Sequence, residues 1–191
     1  MPPVRWLKIT PDEDLKMVNF GTQIRSGFRP DTKMHQALAK VAPFLKAAPV
    51  DVKSIAERLG VKVWELPDLP ATISGKLFFD PINGGSSGFS IGVNGREGYK
   101  RKRFTMAHEL AHFLLHKDLI TNGILIDDAL YRSDLSSREE VEANKLAADI
   151  LMPRNLINEL TSQGIRDVAA LAEMFKVSIP AMKIRLNIPI I

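Results

Sequence analysis

The stretch Phe104-Thr105-Met106-Ala107-His108-Glu109-Leu110-Ala111-His112-Phe113-Leu114-Leu115 constrains this chain more than any other. Read as a helix, it is apolar almost all round, and such a helix belongs in a core. Yet it carries two histidines and a glutamate, and unpaired polar groups are costly to bury. His108 and His112 lie one turn apart on one face. One metal ion can therefore satisfy both imidazoles, whereas two core histidines with separate partners need more coincidences. The pattern is H-E-x-x-H, that of zinc hydrolases. Glu109 can reach a water on the metal, and Zn²⁺ lowers the pKa of such a water to about 7. The bland alternative, a chance meeting of surface histidines, fits poorly with the apolar context.

A catalytic zinc site wants three protein ligands and an open position. His116 continues the same helical stripe, but a further turn carries it about 6 Å along the axis. Asp118 matches the last position of an H-E-x-x-H-x-x-G-x-x-D pattern, but Leu115 stands where the chain-reversing glycine is needed. A better source is the helical pattern from Arg138 to Met152, whose apolar residues Ala143, Leu146, Ala147, Ile150 and Leu151 recur at helical spacing. On a helical wheel Glu140 falls mid-face, in line with Ala143, Ala147 and Leu151. Glu139 sits on the margin, and Glu142 points away among Lys145 and Asp149. A carboxylate aimed into a core must be paired or bind a metal. Glu140 is thus the expected third ligand, with Asn144 one turn on placed to orient a ligand. A capping box is the competing use of these acids. Ser136 with Glu139 and Ser137 with Glu140 both fit it, and the choice between them stays open.

Around these segments the expected architecture is α+β: a small mixed sheet, the buried H-E-x-x-H helix, a second ligand-bearing helix and a C-terminal helical hairpin. Helices are expected over Asp12 to Gly27, Asp31 to Leu45 (with His35 as a surface or core histidine), Asp51 to Leu59 closed by Gly60, and Asn155 to Gln163. Strands are expected over Val61 to Leu66, Ile73 to Phe79 and Phe89 to Val93, with a loop or turn at PINGGSSG. Leu119 to Leu135 reads as a loop or short helix wrapping the site, and Pro153 stops the second ligand-bearing helix.

Three blocks in this order, RFTMAHELAHFLLH, EEVEANKLAADILMP and LAEMFKVSIPAMKIRL, resemble the ImmA/IrrE family of metallopeptidases. VDVKSIAERLGVKVWE and SIGVN add to the resemblance, which runs from about Pro49 to Asn187. It implies a relative of thermolysin-like zinc proteases, with one Zn²⁺ per chain on His108, His112 and Glu140 and Glu109 as the catalytic base. It also implies an intracellular protease whose substrate is a helix-turn-helix repressor, often encoded alongside. Ala111 stands where many members have glycine. Residues 1–48 match nothing in the family and are set apart as an N-terminal helical extension of unknown role, before a metallopeptidase domain at 49–191.

The chain's 191 residues, 45% hydrophobic and 25% charged, suit one principal soluble domain with a real core. It has no membrane-length apolar run and no signal pattern, and its lack of cysteine excludes thiolate ligands. These absences point to the cytoplasm. The net charge of +4 raises the question of nucleic acid. Its densest source, Lys100-Arg101-Lys102-Arg103, reads as a solvated strand or loop end. DVAALAEMFKVSIPAMKIRL has a helix-turn-helix pattern, turning at Lys176-Val177-Ser178. Its second helix, Ile179 to Leu186, offers only Lys183 and Arg185 to base edges, so a hairpin packed on the core is preferred and specific DNA binding is not expected.

The expected function is a zinc endopeptidase. Tyr99, Tyr131 and His116 are candidate donors to the oxyanion, and the strand Phe89 to Val93 is a candidate to pair with an extended substrate. The rival is a non-proteolytic metal-binding regulator or toxin–antitoxin component that binds a repressor, an antitoxin or DNA.

Overall fold

In the computed structural model, which describes residues 32–121 and 136–190, a three-stranded mixed sheet backs the helix that carries the histidines. Its strands are β1 (Val61–Leu66), β2 (Gly75–Phe79) and β3 (Phe89–Asn94), in spatial order β1-β3-β2. β3 runs parallel to β1, with Val61 opposite Phe89, and antiparallel to β2, with Gly75 opposite Val93. It is buried along its whole length. Both of its edges are thus paired, so it has no free edge for a substrate strand. The alternation that suggested it marks a central strand here.

The helices are α1 (Thr32–Val41), α2 (Val52–Arg58), α3 (Tyr99–Thr121), α4 (Ser136–Leu151), α5 (Arg154–Ser162), α6 (Val168–Phe175) and α7 (Ile179–Arg185). A short 3₁₀ turn, Ala42–Phe44, follows α1. Local chemistry sets several ends. Asp51 accepts from the Ser54 N–H, Asp167 from Ala170 and Ser178 from Ala181, each a side-chain N-cap. Gly60, at φ +82°, closes α2 in a left-handed conformation open to glycine.

α3 is buried on nearly every side, as its sequence demands. Ala107, Leu110, Ala111, Phe113 and Leu115 enter the core with Leu77, Phe89, Ile91 and Val93 of the sheet, and Phe113 meets Phe89 edge-on at 5.4 Å. α4 packs along α3 through Ala143, Leu146, Ala147, Ile150 and Leu151, the face read from its sequence. α1 puts Met34, Ala37 and Val41 into the same core, so residue 49 does not mark that core's edge. The expected helix Asp12 to Gly27 and most of Leu119 to Leu135 lie outside the described residues; α3 itself runs on to Thr121.

α6 and α7 form the expected hairpin, turning at Lys176 with φ 54°. Leu171, Ala172, Phe175, Val177 and Met182 fix it to the core. Arg185 is tied down by an ion pair to Asp149 at 2.7 Å and a bond to the Met152 carbonyl at 2.8 Å. A side chain committed in this way is not available to a base edge.

The basic tetrad is not a strand or loop end. It forms the opening of α3, whose first hydrogen bond runs from Lys102 N–H to the Gly98 carbonyl. Lys100 pairs with Glu173 at 2.9 Å, Lys102 with Glu65 at 2.9 Å, and Arg101 donates to Ser74 at 3.0 Å. Arg103 is buried and donates to the Phe175 carbonyl at 3.4 Å. The four residues fasten the start of α3 to its neighbours.

Candidate metal centre

The packing of α4 along α3 brings three side chains to one point. His108 Nε2 and His112 Nε2 are 2.9 Å apart. Glu140 sets Oε2 3.1 Å from the first and Oε1 3.2 Å from the second. Among the described residues these three form the one group of acids and histidines placed to hold a metal ion. The histidines are buried, while the Glu140 side chain keeps 24% of its surface, so the group opens to solvent on the α4 side.

The far nitrogens are also engaged. His108 Nδ1 donates to Asn144 Oδ1 at 2.9 Å, in the orienting position read from the sequence. His112 Nδ1 lies 3.1 Å from His116 Nδ1, and His116 Nε2 lies 3.2 Å from Glu142 Oε2.

The two Nε2 atoms cannot both present bare lone pairs at this separation without repulsion; a hydrogen on one of them, or a metal ion, must come between them. Burial works against charge on His108, but its bonds to Glu140 and the nearby carboxylates outweigh that and raise its pKa. His112 is lowered to about 4, first by burial and then by the charge on His108. Glu140 is kept well below the carboxylate range: burial opposes its charge, and the two histidine bonds overcome that. A tetrahedral zinc site with bonds of 2.0–2.1 Å spaces its donors about 3.3 Å apart. The observed 2.9, 3.1 and 3.2 Å lie within a few tenths of that. The residues present fit a divalent metal.

Glu109 sits beside this group, fully buried. Neither of its oxygens has a hydrogen-bond partner of normal geometry. Burial, helped by the Glu140 charge, raises its pKa to about 8, against weaker opposing pulls from His108 and the Leu77 backbone. Gly75 explains how β2 comes so near. A Cβ there would fall 2.3 Å from Thr105 Cγ2 and 3.7 Å from Glu109 Cγ, so only glycine lets the strand lie against this turn of α3.

The other candidates fall elsewhere. Tyr99 is exposed at the start of α3, about 13 Å along the axis from His108. There it lines a cavity of about 600 Å³ with Phe104, Leu151, Met152 and Val177. His116 lies behind His112, on the side away from the three-donor group, and not across its open face. Asp118 is not part of that group. Tyr131 lies outside the described residues, and α4 begins at Ser136. Glu142, which the wheel turned away, reaches back to His116 and is held there by Arg138 at 2.8 Å. A wheel fixes only the direction of Cβ, and a long side chain covers the remaining distance. The sequence signal for this contact was His116 itself, continuing the histidine stripe.

The family of the IrrE N-terminal-like domain, Peptidase_M78, matches residues 56–187. Among solved structures, a Mycobacterium tuberculosis transcriptional regulator shares the fold with a TM-score of 0.56 and 18% identity. The match covers 84% of this chain and 48% of that one, so this chain spans about half the regulator's length. No curated protein matches the chain.

Proposed function

The chain belongs to the IrrE N-terminal-like domain family, a metallopeptidase-like domain, and on that premise we propose that it is a zinc-dependent endopeptidase acting on a helix-turn-helix transcriptional repressor. The observation that carries the reading is Glu109. A fully buried carboxylate whose oxygens lack any hydrogen-bond partner of normal geometry is costly to the fold. It stands next to a three-donor group, where a proton acceptor is of use.

His108, His112 and Glu140 would hold the ion. Bound there, Zn²⁺ would supply a Lewis acid for the scissile carbonyl and an acidified water for attack. Glu109 takes the proton from the attacking water and returns it to the leaving amine. Its burial beside the three donors keeps that exchange out of bulk solvent. The substrate is placed along β2. Among the described residues that strand pairs only with β3, leaving its other edge for an extended peptide, and Gly75 sets its backbone against the turn that carries Glu109.

The repressor as substrate rests on the family resemblance, and such a substrate puts the protein in the cytoplasm. Among the described residues no helix is long and apolar enough to cross a membrane. Specific DNA binding is set aside because Arg185 is occupied by Asp149 and Met152. The rival, a metal-binding regulator or toxin–antitoxin component without proteolysis, would need its metal only for structure. A structural zinc site is usually closed by four protein ligands, whereas the described residues offer three. The test is cleavage of a purified helix-turn-helix repressor by the zinc-loaded protein. Activity abolished by a chelator and restored by Zn²⁺ supports the peptidase. Tight repressor binding without cleavage, in the zinc-loaded protein, supports the rival.

A further inference from the structure

We propose that His116 and Glu142 form a positioning relay that fixes His112 in the one tautomer and orientation able to bind metal through Nε2. The inference rests on the metal-site reading above, and it adds two residues that are not themselves ligands.

Glu142, half-buried at the start of α4, is an ionised carboxylate held by Arg138 at 2.8 Å, and so it can only accept. The atom facing it, His116 Nε2 at 3.2 Å, must therefore carry a hydrogen. A neutral imidazole with its proton on Nε2 has a lone pair on Nδ1. That lone pair faces His112 Nδ1 at 3.1 Å, so the hydrogen between them belongs to His112. With Nδ1 protonated, neutral His112 has its lone pair on Nε2, the atom turned to Glu140 and His108. The opposite tautomers would put a lone pair of His116 against the Glu142 carboxylate. For a neutral His116 the two contacts together leave one arrangement.

The two ligand histidines thus reach the same state by different routes. Asn144 does for His108 in one bond what His116 and Glu142 do for His112 in two. His116 is buried, so its ring also fixes the His112 ring in place. Partners of this kind typically contribute 10- to 100-fold to metal affinity, on the order of what is expected here.

The test uses the full chain, stripped of metal and titrated with Zn²⁺ against a chromophoric chelator, and separately with Co²⁺ to record the visible ligand-field bands. In His116→Phe the volume is kept and the acceptor lost. In His116→Asn the side-chain oxygen stands near the place of the imidazole Nδ1 and can accept from His112 as Asn144 does from His108. In Glu142→Ala the far end is cut at a half-buried position. The expected result is a loss of zinc affinity of about 10- to 100-fold in His116→Phe with altered cobalt bands, a smaller loss in Glu142→Ala, and recovery of most of the affinity in His116→Asn. Thermal unfolding of each metal-free variant separates this from misfolding, and Glu142→Ala carries the test if His116→Phe does not fold. Wild-type affinity and an unchanged cobalt spectrum in the folded variants would overturn the relay alone. Loss in His116→Phe without rescue by Asn, and with Glu142→Ala silent, also overturns it, since the ring then acts through volume. Failure of the wild-type protein to take up either ion would bring down the metal-site reading and the relay together.

Discussion

In the opening turns of α3 the basic side chains have partners on other elements: Lys100 with Glu173, Lys102 with Glu65, and buried Arg103 with the Phe175 carbonyl. Further along the same helix, His108 and His112 face each other nitrogen to nitrogen, and Glu109 is buried with neither oxygen bonded. The first region is polar chemistry used to hold a helix in place. The second is polar chemistry held under cost by the surrounding core. The difference teaches where to look for function: not where charges are dense, but where histidines face each other nitrogen to nitrogen and both oxygens of a buried carboxylate lack a hydrogen-bond partner of normal geometry.

The largest expected effect breaks the second region outright. His108→Ala combined with His112→Ala removes two of the three donors, and metal analysis after dialysis is expected to fall from one equivalent of zinc per chain to none. Unchanged stoichiometry would place the metal elsewhere.

The next sharpens the cost at Glu109. Its pKa is raised from the ordinary 4.5 of a glutamate to about 8 in the metal-free fold. Between those values the folded state keeps a proton that the unfolded state has lost. Its contribution to stability is therefore full below about 4.5 and is lost as pH rises through about 8. Metal-free wild type is expected to lose stability from pH 6.5 to 8 relative to Glu109→Gln, and Glu109→Gln to be the more stable at pH 8 by roughly 1–3 kcal/mol. Comparing the two proteins isolates Glu109 from His108, which acts in the same sense, and the window lies above that in which His112 titrates. Parallel Tm-against-pH curves would show that the carboxylate is not strained.

Arg185→Ala probes the hairpin. It leaves the Met152 carbonyl and Asp149 without their mostly buried partner, and urea unfolding should show a loss of about 1–3 kcal/mol. The smallest effect is expected at the exposed end of α3. Lys100→Met removes a pair whose members are 43% and 59% exposed, and the change should stay within about 0.5 kcal/mol.

Much of this was legible in the sequence because it followed from periodicity and local chemistry. The buried helix, the apolar face of α4, the three strands and the hairpin turn at Lys176 all came from spacing and turn residues. Glu140 and Asn144 were read from the same wheel that placed the core. What the sequence did not reveal depended on how elements meet. Strand order put β3 at the centre and left β1 and β2 on the outside, which no alternation pattern reports. The pairing of the basic tetrad depended on acids far away in the chain, at Glu65 and Glu173. Glu142 turned back to His116 because of where α4 lies beside α3, and Gly75 mattered because a strand crosses close to Thr105.

The most direct test of the central claim is the rate of repressor cleavage by Glu109→Gln, measured beside its zinc content. The substitution keeps the size of the side chain and leaves His108, His112 and Glu140 in place. The expected result is one full equivalent of zinc with cleavage reduced by about 100-fold to 10,000-fold. Cleavage within a few-fold of wild type at equal zinc occupancy would contradict the account, because the buried carboxylate would then have no part in the chemistry.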